Sequence, residues 1–465
     1  MADDVTEQGW VWSEFRGAEL GDDRLVKRLI RMTHALSQNP EESLPGVFGG
    51  EPHALKAVYR FLDNDDVDPK AILAAHRDAT LRRIKALDCK LILGVEDTTY
   101  FDFTTHRATA GLGSIGAPGL RGCLHHGLLA LEPEAGLPLG LLYSHTWARP
   151  EDQPSAAAKR KRPIADKESG RWLEALTASA AVVPRDVRMV TIADREADIF
   201  EFFHHADGLG QEVLIRANHD RNVLVAGEAK SLWDAALTSD VLGAISFTVP
   251  RDHKHNRPQR EALATLHVAE VQLRPPAHLA GLHLAPVTIR AILLQEIDAP
   301  ADQEPVQWLL LTTLPVQTLD DARQCVIWYG FRWRIERLHY TLKSGGNYEK
   351  LQLQTAERLW RALAIYLVVA WRVLYVDLVG RTYPTAPCTT FLNDDEWQAL
   401  GCHHLQTPVP PAEPPDARTA VRWIAKLGGF LGRRSDGEPG VLTLWRGFRR
   451  LQDLVEMWRI LRPRE

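Results

Sequence analysis

Two short apolar runs that each end in an acid constrain this chain more than any other feature. Leu91-Ile-Leu-Gly-Val95 gives way to Glu96-Asp97, and the run over residues 187–193 gives way to Asp194. Runs this short, bounded by polar residues, suit strands covered on both faces. Each acid then closes a strand and opens the following loop. Residues 126–131 and 137–147, around Glu132-Pro-Glu-Ala-Gly136, predict a β-hairpin. Helices are expected over 169–181 and 197–205, and another strand over 213–216. Three strands, helix, strand, helix, strand make a mixed α/β sheet. With strands ~4.8 Å apart, Asp97 and Asp194 can converge on one sheet edge.

The flanking regions read as helical. Residues 24–32 and 54–62 carry apolar residues at helical spacing, and Asp68-Pro69 opens a third helix with Ile72, Leu73, His76, Leu81 and Ile84. Residues 1–70 are expected to form a helical domain, 71–375 the α/β domain and 376–465 a helical C-terminal domain. The β-rich stretch 217–307 reads as an insertion, not a continuation of the sheet. A long helix is expected over 319–342, with Thr318 and Asp321 as its N-terminal capping pair, and a second over 356–379.

Several function classes fall on composition. With 55 Lys+Arg against 60 Asp+Glu, the net charge is −5, which argues against indiscriminate coating of phosphate but not against a local basic groove. Seven acids lie in the first 23 residues, whereas 149–171 holds seven basic and four acidic residues. The acidic N-terminus does not read as a secretory signal. The longest membrane candidate, 362–379, contains Trp371, Arg372 and Asp377, so no membrane partner is expected. Five scattered cysteines without a C-x-x-C pair predict free thiols in a reducing cytoplasm. The histidine pairs 125–126, 204–205, 253/255 and 403–404 lack H-E-x-x-H spacing, which disfavours a zinc hydrolase.

The helix over 321–343 is the most informative. At 100° per residue, Tyr329, Arg332, Glu336 and Lys343 fall within about 60° of arc. An acid flanked by Arg, Tyr and Lys suits a cation held beside bound phosphates. Tyr329-x-x-Arg332-x-x-x-Glu336 followed by Lys343 resembles the YREK signature of bacterial DDE transposases, the insertion-sequence-four family that includes the transposase of transposon five. Leu93-Gly-Val-Glu-Asp-Thr-Thr99, Lys167-Glu-Ser-Gly-Arg-Trp172, Asp194-Arg-Glu-Ala-Asp-Ile199, Trp308-Leu-Leu-Leu-Thr312 and Trp333-Arg-Ile-Glu336 are similar to its motifs. So are Ala18-Glu-Leu-Gly-Asp22, Tyr59-Arg-Phe61 and Lys426-Leu-Gly-Gly-Phe430, so that the resemblance runs through nearly the whole chain.

The resemblance implies a ribonuclease-H-like fold with a β-rich insertion and helical N- and C-terminal domains. It implies cut-and-paste DNA transposition: end nicking, hairpin formation and opening, then strand transfer. Asp97, Asp194 and Glu336 would hold two Mg²⁺ ions, with Mn²⁺ able to substitute. Tyr329, Arg332 and Lys343 would contact phosphates, Trp308 would stack on a flipped base, and Trp333 would border the site. Arg216, Arg28 and Arg60 would be further DNA contacts. The partners implied are double-stranded DNA, as inverted-repeat ends and target, and a second copy of the chain in a synaptic homodimer. The setting would be the bacterial cytoplasm, on the nucleoid when DNA is bound. Tyr340, Gln352 and the acidic Asn39-Pro-Glu-Glu-Ser43 depart from the best-known member's basic residues, so a different cognate end is expected. The alternatives are a domesticated DNA-binding protein and a stand-alone ribonuclease-H-like nuclease.

Overall fold

A computed structural model describes residues 9–39, 42–150, 162–251, 255, 257–433 and 436–461. The acids Asp3, Asp4 and Glu7, the pair Pro40-Glu41, the basic run 159–161 and His253 lie outside the described residues. The chain divides into two compact units. A helical unit comprises Met1–Cys89, Thr98–Gln153 and Arg334–Glu465; a sheet unit comprises Lys90–Asp97 and Pro154–Trp333.

The helical unit opens with α1 (Trp10–Phe15), α2 (Asp23–Gln38), α3 (Leu44–Phe48), α4 (Pro52–Asp63) and α5 (Pro69–Ala86). Their starts are written in the sequence: Asp22, Ser43 and Asp68 each accept a backbone N–H two or three residues on, satisfying donors that the first turn leaves over. Strand β1 (Leu91–Asp102) follows and contributes residues to both units. It corrects the expectation that the strand stops at Glu96-Asp97. Beyond the apolar run, burial alternates through Thr99, Phe101 and their exposed neighbours, the period of a strand with one covered face. Asp97 is therefore an in-strand residue and not the first of a loop. In the helical unit, β2 (Gly113–Ser114), β3 (Arg121–Leu131) and β4 (Pro138–Trp147) form an antiparallel set, with the predicted hairpin between β3 and β4. Only glycine fits at position 122, where a Cβ would sit 1.8 Å from the Phe101 carbonyl oxygen.

The sheet unit holds α6 (Gly170–Val182), β5 (Arg188–Ala193), α7 (Phe200–Gly208), β6 (Glu212–Arg216), β7 (Asn222–Val225), β8 (Glu228–Ser231), α8 (Leu232–Leu237), β9 (Val241–Val249), β10 (Arg260–Leu273), β11 (Val287–Ile297), β12 (Gln307–Thr312) and α9 (Leu319–Gly330). Its strands run in the order β1-β5-β6-β12-β11-β10-β7-β8, with β9 also paired to β10. β1, β5 and β6 are parallel; β12 joins β6 antiparallel. Residues 217–307 were expected to stand apart from this sheet, yet β7, β8, β10 and β11 hydrogen-bond into it through β12. Pairing partners far apart in sequence leave no local trace, which is why composition alone suggested an insertion. A buried cluster including Trp172, Phe200, Phe203, Ile215, Val271, Ile289 and Leu311 runs from the parallel strands into this region.

The chain returns to the helical unit within α10 (Trp333–Tyr340), followed by a π turn (Thr341–Gly345), α11 (Ala356–Thr382), α12 (Asp394–Leu405), α13 (Ala417–Leu427) and α14 (Val441–Leu461). The single helix expected over 319–342 is thus two helices and a π turn. Thr318 and Asp321 do form the predicted capping box, but α9 stops at Gly330, a poor helix former, and Phe331-Arg332 make a turn. A straight 100° wheel does not carry through that turn or the wider π turn. The helix predicted to begin at Ala197 begins at Phe200, after a 3₁₀ turn at Arg195–Ala197.

Candidate active site

Strand register brings the acids of the sheet unit level. β1 and β5 pair in parallel with Val95 opposite Ile192; continued two residues, that register sets Asp97 beside Asp194. β5 and β6 pair with Ala193 opposite Ile215, which sets Asp194 beside Arg216 on the next strand. Residues level on neighbouring strands point to the same face, so Asp97, Asp194 and Arg216 form one row. Asp194 caps the 3₁₀ turn, its Oδ1 accepting from the Glu196 N–H at 2.8 Å.

Electrostatics agree with the row. Burial raises the Asp194 pKa above its ordinary value and the neighbouring Asp97 charge raises it further, against lowering by the Glu196 N–H, Arg332 and Arg171. A carboxylate whose proton affinity is raised by burial and by a neighbouring acid is one that a cation relieves. Glu96 is buried; desolvation drives its pKa well up, with Arg171 pulling it down.

Beside the acids stands an aromatic and guanidinium group within the sheet unit. Trp308, on β12, meets Tyr329 of α9 edge-on at 5.3 Å. The Arg216 guanidinium lies 5.8 Å from the Trp308 ring and donates to the Gln307 carbonyl at 3.4 Å. Arg332 lies 5.9 Å from the Tyr329 ring and 5.2 Å from Trp333. Tyr329 and Arg332 are nearly buried, whereas Trp333 is 56% exposed. Desolvation lowers the Arg216 pKa, with the nearby Arg195 and Arg332 charges adding to it against raising by Tyr329.

The remaining candidates lie in the helical unit. Glu336 is half-buried on α10. The ammonium of Lys343, in the π turn, lies 4.9 Å from the ring of Tyr100 and 5.6 Å from that of Phe101. Arg28 is half-buried on α2 and Arg60 exposed on α4. The wheel that grouped Tyr329, Arg332, Glu336 and Lys343 on one helix face therefore gives way: Tyr329 and Arg332 come together in the sheet unit, and Glu336 and Lys343 sit after the turn in the helical unit.

Two residues that carried no assigned role in the sequence emerge from the geometry. Arg171, inside the Lys167–Trp172 motif, is 12% exposed and bonds the Glu196 carboxylate. Tyr100, 53% exposed, sits under Lys343. The signal for Tyr100 was the alternation beyond Asp97, visible only once β1 is known to continue.

Among the described residues, no three His, Cys, Asp or Glu side chains form a group that could hold a metal ion. The level Asp97–Asp194 pair fits a hard divalent cation by donor chemistry: carboxylate oxygens on neighbouring strands, one of them raised in pKa by burial and by the other's charge.

Two stretches of the chain match known family models. Residues 7–67 match the transposase DNA-binding model, and residues 368–464 match the transposase Tn5 dimerisation domain. These matched stretches include Arg28 and Arg60 at one end, and α12, α13 and α14 at the other. The two domain matches support a Tn5-like transposase, a protein that binds DNA and forms a homodimer.

Proposed function

We propose that the chain is a DDE transposase of the YREK type, performing cut-and-paste transposition on DNA of the bacterial cytoplasm through a ribonuclease-H-like core. The observation that carries the reading is the Asp97–Asp194 pair, level on adjacent parallel strands, in a chain whose ends match transposase domains. Asp97 and Asp194, with Glu336 as the third acid, would hold Mg²⁺. When bound, divalent ions at such acids activate the attacking oxygen and stabilise the leaving one. Arg332, Lys343 and Arg216 would fix phosphates of the end DNA, positioning it without reading sequence. Trp308 offers its indole as a stacking platform, braced by Tyr329 and the Arg216 guanidinium. Arg28 and Arg60 would grip the end from the N-terminal domain. Two chains would cut two ends in one synaptic complex, by nicking, hairpin formation, hairpin opening and strand transfer.

The test uses the full chain, paired DNA carrying the inverted repeats that flank its coding sequence, and Mg²⁺. The wild type is expected to nick both ends. Asp97→Asn and Glu336→Gln should each lower nicking about 10³-fold or more while still shifting end DNA on a gel. Mg²⁺-dependent nicking that persists in either variant would sink the assignment of that acid.

A further inference from the structure

Arg171 has no part in the proposal above, yet its contacts converge on one of the acids. It lies in the first turn of α6 and its two terminal nitrogens act in different directions. Nη1 donates to the Glu168 carbonyl at 2.8 Å, and Nη2 bonds the Glu196 carboxylate. Its guanidinium lies 5.2 Å from the buried Trp172 ring. The Glu196 backbone N–H in turn donates to Asp194 Oδ1 at 2.8 Å. A continuous path thus leads from the start of α6 through Arg171 and Glu196 to Asp194.

The far end of the same turn is tied as well. The Asp198 side chain, fully buried, accepts from the Asn218 and His219 N–H groups at 2.7 and 3.2 Å and pairs with Arg221. The segment from Asp194 to Asp198 is therefore pinned at both ends, and Arg171 supplies the pin next to the acid. Lysine could not replace it: a single ammonium lacks the planar fork that spans a carbonyl and a carboxylate at once.

We propose that Arg171 is the positioning residue of Asp194, clamping the turn so that its carboxylate is fixed beside Asp97 for a divalent cation. This rests on the reading that Asp194 is a metal ligand. Outer contacts of this kind hold the ligand's orientation, and their loss costs about 10–100-fold in metal affinity. The sign of the effect is diagnostic. Were Arg171 merely a positive charge near the cation, its removal would relieve repulsion and tighten binding.

Mn²⁺ binding to the full chain, followed through the electron paramagnetic resonance signal of free Mn²⁺, gives the readout, with thermal unfolding as the folding control. Arg171→Ala should weaken Mn²⁺ binding about tenfold or more with the unfolding cooperative. Arg171→Lys keeps the charge and the stem, so weakening there reports lost geometry alone and serves if the alanine variant fails to fold. Unchanged or tighter Mn²⁺ binding in Arg171→Lys, or in a folded Arg171→Ala, overturns the clamp. Asp194→Asn that binds Mn²⁺ like the wild type would instead overturn the metal-ligand reading beneath it.

Discussion

At the scale of single residues, Lys343 holds its ammonium against an aromatic neighbour. Its ammonium lies 4.9 Å from the Tyr100 ring, an exposed contact of a kind worth about 0.5–1 kcal/mol. That contact narrows the positions open to the side chain before any phosphate arrives. Tyr100→Ala should accordingly weaken binding to DNA about threefold, while Tyr100→Phe, which keeps the ring, should not. Lys343→Ala should reduce the slope of log affinity against log salt by about one unit. Fluorescence anisotropy across a salt series checks all three, and an equal loss in the Phe and Ala variants would point to the hydroxyl instead of the ring. The spacing after Glu336 singles out Lys343 in the sequence. It does not single out Tyr100, because it says nothing about which ring a lysine meets.

At the scale of elements, Glu14 joins four pieces of the helical unit. From α1 it accepts from His76 Nδ1 of α5 at 2.6 Å and pairs with Arg83. His76 Nε2 accepts the Leu141 N–H of β4 at 3.1 Å, so the ring is neutral with its proton on Nδ1. His76 and Arg83 both flank Trp371 of α11, whose indole donates to the Pro138 carbonyl. Burial alone would raise the Glu14 pKa, but His76 and Arg83 overcome it and hold it at about 2. A carboxyl held below its ordinary pKa adds stability above its unfolded pKa that is lost as pH falls through the folded one. Burial keeps His76 neutral with a lowered pKa, which pulls the same way: unfolding at mildly acid pH lets it take up a proton. Denaturant titrations from pH 7 to pH 3 should show the wild type losing more stability than Glu14→Gln, and parallel losses would contradict the account. The elements themselves were largely legible, because apolar spacing and capping residues are local signals: Asp22, Asp68 and Thr318 mark their helices. Two outcomes were not local: β1 continues because a covered face extends past its apolar run, and the strands of 217–307 find partners across the sheet. The break after Thr318's helix had a local signal in Gly330, which a straight helical wheel passes over.

At the scale of the whole molecule, the matched end domains bear on how the chain assembles. A chain with a dimerisation domain at residues 368–464 should give two copies per complex when mixed with paired end DNA, as read by mass photometry. One copy per complex at the hairpin stage would remove the synaptic reading. The net charge of −5 then bears on selectivity: an overall acidic chain should have weak non-specific affinity for DNA.

Helix α11 meets the length and composition of a membrane span, with mean hydropathy 1.9, but 89% of that window is buried within the protein. It packs on α2, α4, α5 and β4 from the first third of the chain and on α13 and α14 from the last. The ribosome therefore releases the apolar faces of α5 and β4 about 270 and 210 residues, respectively, before the helix that covers them, whereas residues 154–333 of the sheet unit emerge in one stretch. The early faces must wait, shielded by chaperones or by one another. A chain interrupted before residue 356 would leave them bare, so that fragments should be cleared by aggregation or proteolysis, and DNA would meet a finished helical unit only after synthesis has passed α11.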